Sequence, residues 1–122
     1  MLGSHCYKVF VTKLRWQDAE NHCQAEGGHL ASVHSAEENS FVSGLDSDRM
    51  WLGGTDTTRE GRWKWSDGSA FSFTSWAWGE PNDGGWFLGI QDCLTTNYGA
   101  AGKWDDLDCG AHYDIRKFVC KM

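Results

Sequence analysis

Apolar and polar positions alternate at the start of the chain. Cys6-Tyr7-Lys8-Val9-Phe10-Val11 reads as a strand, because side chains of period two line opposite faces of a sheet. The period then lengthens. Between Leu14 and Ala25, Trp16, Ala19 and Cys23 form an apolar stripe at helical spacing, and Gly27-Gly28 ends the helix. His29-Leu30-Ala31-Ser32-Val33 is a short strand. Ser35-Ala36-Glu37-Glu38 has the spacing of a capping box, in which hydroxyl and carboxylate each satisfy a backbone N–H at a helix start. The second helix is expected to turn Phe41, Val42 and Leu45 inward, and Trp51-Leu52-Gly53 is another short strand.

After Gly54 the periodicity fades. To about Ala101 the chain is dense in Gly, Ser, Thr, Asp, Asn and Trp, and only Trp63-Lys64-Trp65 and Asp92-Cys93-Leu94-Thr95 look like strands. A loop this long inside a small domain is usually functional or disordered, and its tryptophans argue against disorder. Trp104, then Ile115 to Cys120, supply the last strands. The expected fold class is α+β: two helices beside antiparallel strands, with a large irregular lobe.

Composition narrows the function. The 122 residues fit one domain, and the net charge of −6 with no basic cluster excludes nucleic acid as a partner. No apolar run is long enough to span a bilayer, so membrane insertion is not expected. Met1-Leu2-Gly3-Ser4 reads as the start of a mature fragment. Five cysteines, at 6, 23, 93, 109 and 120, contain no Cys-x-x-Cys pair. They read as disulfides and hence as secretion, with one cysteine left over and the pairing open. Most of the eight tryptophans are expected in the core.

The candidate chemistry lies in three short segments. Glu80-Pro81-Asn82, Gln91-Asp92-Cys93 and Trp104-Asp105-Asp106 bring together the side-chain oxygens of Glu80, Asn82, Gln91, Asp105 and Asp106. Oxygen donors suit a hard cation, and calcium (Ca2+) accepts several in a flexible shell. Pro81 is the single proline, and X-Pro is the bond type that is readily cis, which would aim Glu80 and Asn82 at one point.

These segments, together with Cys23, Trp51-Leu52-Gly53, Trp63-Lys64-Trp65-Ser66-Asp67-Gly68, Trp76, Gly79, Cys109 and Phe118-Val119-Cys120, resemble the C-type lectin-like domain over nearly the whole chain. The resemblance implies one carbohydrate-recognition domain over residues 1–122, with disulfides Cys23–Cys120 and Cys93–Cys109. It implies that Glu80, Asn82, Gln91, Asp105 and Asp106 hold the sugar-site calcium, and that Asp56, Glu60, Asp83 and Asp92 match an auxiliary calcium site. Cys6 looks like the second cysteine of an extra N-terminal pair found in longer members. Either its partner was cut away, leaving a free thiol, or it links subunits into a homo-oligomer.

Two departures stand out. The family usually has Glu where Gln91 stands and Asn where Asp105 stands, and the loop from Asn82 to Cys93 is long and carries Gly84-Gly85-Trp86-Phe87. The leading expectation is a secreted, calcium-dependent module for carbohydrate. Two vicinal hydroxyls would enter the calcium shell, with Glu80, Asn82, Gln91 and Asp105 hydrogen-bonded to them and Trp86 stacked on the ring. Glu80-Pro81-Asn82 resembles the mannose-type motif, whereas the exchanged Gln91 and Asp105 favour the galactose-type arrangement; the two stand roughly even. The alternative is a non-sugar module that binds protein, ice or mineral with structural calcium, for which Trp76, Trp78, Trp86 and Phe87 would form the surface. An enzyme is not expected. Asp105 and Asp108 could mimic a glycosidase dyad, but the acids are already assigned to metal, and the five scattered histidines lack metal spacing.

Overall fold

The computed structural model describes residues 3–56, 62–77, 92–110 and 115–122. The elements run β1 (Tyr7–Val11), α1 (Trp16–Ala25), β2 (His29–Leu30), α2 (Ala36–Ser43), β3 (Met50–Thr55), β4 (Lys64–Trp65), β5 (Asp92–Thr96), β6 (Asp105–Asp108) and β7 (Lys117–Lys121). They form two helices and a mixed sheet in the order β1-β7-β3-β5-β6, with β2 on β7 and β4 on β3. The expected antiparallel pairing holds for the other strand pairs, and β3 with β7 adds one parallel pair. β5 and β7 lie on opposite sides of β3.

The alternating residues of β1 do pair as a strand, with Tyr7 opposite Lys121 and Val11 opposite Lys117. This pairing closes the termini: Cys6 and Met122 exchange two backbone hydrogen bonds, 3.1 and 2.8 Å. In α1 the stripe at i, i+3 and i+7 is buried, with Ala19 and Cys23 fully enclosed. Gly27 closes the helix at φ +96°, a conformation that favours glycine. Gly28 follows for a different reason, since a Cβ there would lie 2.3 Å from the carbonyl oxygen of Lys121.

α2 starts as its sequence predicts. The Ser35 hydroxyl accepts from the Glu38 N–H at 3.0 Å, although the Glu38 carboxylate reaches back to the N–H of His34 rather than of Ser35. Val42 is buried, Phe41 is half-buried against Tyr7, and Leu45 is exposed, contrary to expectation. The helix ends at Ser43, so Leu45 no longer lies on its inner face.

β3 is longer than the Trp51-Leu52-Gly53 segment suggested, and all six of its residues are buried between two apolar clusters. On one face, Trp51 joins Trp16, Ala19, Leu30, Phe118 and both cysteines of the Cys23–Cys120 pair. On the other, Met50 and Leu52 join Val33, Val42, Trp65, Leu94 and Trp104. Both disulfides form as the resemblance implied, closing separations of 97 and 16 residues. On loop-entropy grounds they stabilise the fold by about 4.7 and about 3 kcal/mol.

The irregular region is part of the core where it is described. Trp76 is half-buried, not an exposed binding residue, and meets Trp63 at 5.0 Å and Trp104 at 5.7 Å, ring centre to ring centre. Trp104 is held by a single bridge to Trp76 rather than within a strand, and its indole N–H donates to Asn39 Oδ1 at 2.9 Å. Asn39 also donates to the carbonyl of Gly102 at 3.0 Å, which ties α2 to the turn just before Trp104. Trp104 thus anchors the start of β6, the strand that carries the candidate site.

Candidate functional site

β6 opens with two adjacent carboxylates, Asp105 and Asp106, each only 4% exposed. Antiparallel pairing sets Asp105 opposite Thr95 and Asp106 opposite Leu94. The Cys93–Cys109 bridge fastens the far end of the same strand pair. Position is therefore imposed from three sides: the Trp104 anchor, the β5 ladder and the disulfide.

Asp105 is bound on both oxygens. The Thr95 hydroxyl donates to Oδ1, and Arg49 donates from Nη2 to Oδ2. Arg49 is itself oriented, donating from Nε to Thr95 Oγ1 at 3.2 Å and lying 4.9 Å from the ring centre of Tyr98. Burial pushes the Asp105 carboxyl above the ordinary aspartate range; Thr95 and Arg49 pull it down without outweighing burial, and the neighbouring Asp106 charge pushes it further up.

Asp56, matched to the auxiliary calcium site, follows β3 directly and is 2% exposed. β3 and β5 pair Thr55 with Cys93, so the next residue on each strand, Asp56 and Asp92, lies at the same end of the ladder. Glu80, Asn82 and Gln91, with Glu60, Asp83, Trp78, Trp86 and Phe87, lie outside the described residues. Among the described residues no three acidic, histidine or cysteine side chains converge as a metal cluster. The sequence reading missed Arg49 and Thr95. An arginine just before a buried strand carries no local signal of a partner 56 residues away.

His29 contacts Glu20 at 2.6 Å, and His22 packs edge-on against Phe10 and Phe118. Cys6 is exposed and lies outside both disulfides. Among the described residues, no helix is long and apolar enough to cross a membrane.

As a test of calcium fit, the donor chemistry at the head of β6 is suitable: two neighbouring carboxylates offer hard oxygens. The fit at Asp105 is conditional, because its two oxygens already accept from Arg49 and Thr95.

The sequence matches the family described as the lectin C-type domain over residues 12–122. It is 41% identical over 125 residues to C-type lectin lectoxin-Lio1 of Erythrolamprus poecilogyrus, covering 96% of this chain and 73% of that protein. It is 39% identical over 121 residues to the type-2 ice-structuring protein of Hemitripterus americanus, covering 99% and 70%. The fold matches the cow C-type carbohydrate-recognition domain of CD23 with a TM-score of 0.87 at 30% identity, covering 99% of this chain and 89% of that one. It matches a Ca2+-dependent type II antifreeze protein in its Ca2+-free form with a TM-score of 0.87 at 33% identity, covering 100% and 94%. A calcium-independent type II antifreeze protein matches at 0.86 and 31% identity, covering 100% and 88%. These relatives are lectins and antifreeze proteins, which are non-enzymes. With a family match over nearly the whole chain and the same fold of two helices, mixed sheet and paired disulfides, this protein belongs to the C-type lectin domain family.

Proposed function

We propose that this domain is a secreted, calcium-dependent carbohydrate-binding module. The observation that carries the reading is the adjacent, buried pair Asp105 and Asp106 at the head of β6. Burial raises the Asp105 carboxyl and the neighbouring Asp106 charge adds to it, and a divalent cation beside the pair would offset both. Glu80, Asn82 and Gln91 would complete the shell, and Asp56, Glu60, Asp83 and Asp92 would hold an auxiliary calcium. When bound, calcium would accept two neighbouring sugar hydroxyls as ligands. Glu80 and Asp105 would accept hydrogen bonds from those hydroxyls, and Asn82 and Gln91 would donate. Trp86 would stack on the apolar face of the ring. A single small site binds weakly, so avidity from several copies would strengthen attachment to a glycan surface.

The acid and amide exchange at Gln91 and Asp105 leads us to expect that galactose or N-acetylgalactosamine competes at least as well as mannose. A glycan array with and without chelator, followed by competition with both sugars, tests the reading. Chelator-sensitive glycan binding supports it, and elution by mannose with indifference to galactose would defeat the exchange argument. The double change Gln91→Glu with Asp105→Asn is expected to shift preference toward mannose.

A second reading is favoured by the 39% identity to an ice-structuring protein: a non-sugar module whose calcium, if bound, is structural. Thermal hysteresis in the absence of glycan binding would select it.

A further inference from the structure

The ion pair between Arg49 and Asp105 places a cation of the protein's own on a residue assigned to calcium. Arg49 precedes β3, and Asp105 opens β6 two strands away. A planar guanidinium suits a carboxylate well, and this one is also hydrogen-bonded to Thr95 and set against the Tyr98 ring. Asp105 is 6% exposed and Arg49 24% exposed by side chain, while Tyr98 is 41% exposed. The carboxylate is therefore enclosed, while the guanidinium has a route to water.

We infer that Arg49 is a resident cation that competes with calcium for Asp105 and sets the calcium affinity of the domain. The inference rests on the calcium reading above. A guanidinium and a divalent cation repel when both lie against one carboxylate, and the repulsion is strong in a site shielded from water. For calcium to use Asp105, Arg49 must release it.

Calorimetric titration of calcium chloride into the whole chain tests this. Arg49→Gln is expected to tighten the calcium Kd by about tenfold. Arg49→Lys keeps the charge but loses the fork, and is expected to tighten it by about threefold. In an Asp105→Asn background the Arg49 changes are expected to move Kd by less than about twofold, because the contested carboxylate is gone. If the parent binds calcium and neither Arg49 variant binds more tightly, competition is overturned while the calcium reading stands. If the parent fails to bind and Arg49→Gln binds, competition stands and the calcium reading of the natural chain falls. If no form binds, both fall. Arg49→Lys decides the matter even if Arg49→Gln does not fold.

Discussion

Two buried carboxylates in this molecule have opposite surroundings. Glu38, in α2, lies where β1, β7 and the β2–α2 connection meet. It receives Lys121 Nζ at 2.6 Å, the Tyr7 hydroxyl and the N–H of His34. Burial alone would raise its carboxyl, but these donors outweigh burial and hold it below the ordinary glutamate range. Asp105 has one cation and one hydroxyl, and beside it stands Asp106, so burial wins and its carboxyl is raised. Glu38 is thus saturated and structural. At Asp105 the same burial is not outweighed by its two partners.

The sharpest way to break this contrast is at Lys121. Lys121→Met removes the cation from a buried pair and leaves Glu38 charged, so stability is expected to fall by about 3–5 kcal/mol in urea unfolding. The calcium response should survive wherever the variant remains folded. Loss of that response at full folding would show that the two regions are not independent.

The next effect in size is at Asp106. Calcium at about a hundred times its Kd should stabilise the parent by about 2.7 kcal/mol. Asp106→Ala is expected to reduce the accompanying rise in Tm. Equal rises in parent and variant would remove Asp106 from the ligand set.

Acid should separate the two carboxylates more gently. Because Glu38 is lowered in the folded state, its contribution is complete above the ordinary value of 4.5 and is lost as pH falls through the folded value. Glu38→Gln should therefore flatten the acid limb of a Tm-against-pH curve below that value. An unchanged slope would deny the network its role.

The smallest change is expected at Cys6. It is exposed, so Cys6→Ser should alter stability by less than about 0.5 kcal/mol. Non-reducing electrophoresis of the naturally folded parent adds the useful result. A dimer abolished by the substitution identifies a link between subunits, whereas a monomer with a titratable thiol identifies Cys6 as free.

Local periodicity determined much of the fold. The buried stripe of α1, the Ser35 cap, the alternation of β1 and the helix-ending Gly27 are each set by neighbours in the chain, so they were legible without the fold. The disulfide pairing was legible only through resemblance. Tertiary structure alone decided the rest. The parallel pairing of β3 with β7, the packing of half-buried Trp76 on Trp104 and the register that sets Thr95 opposite Asp105 depend on contacts between distant segments. A strand's own pattern leaves its partner unspecified, and a slip of one residue would turn every side chain to the other face. Asp105 and Asp106 were readable as candidate ligands because carboxylate oxygens suit calcium. That Arg49 holds Asp105 from 56 residues away, as Lys121 holds Glu38 from 83, was not, because charge along a sequence does not say which charges the fold will bury together.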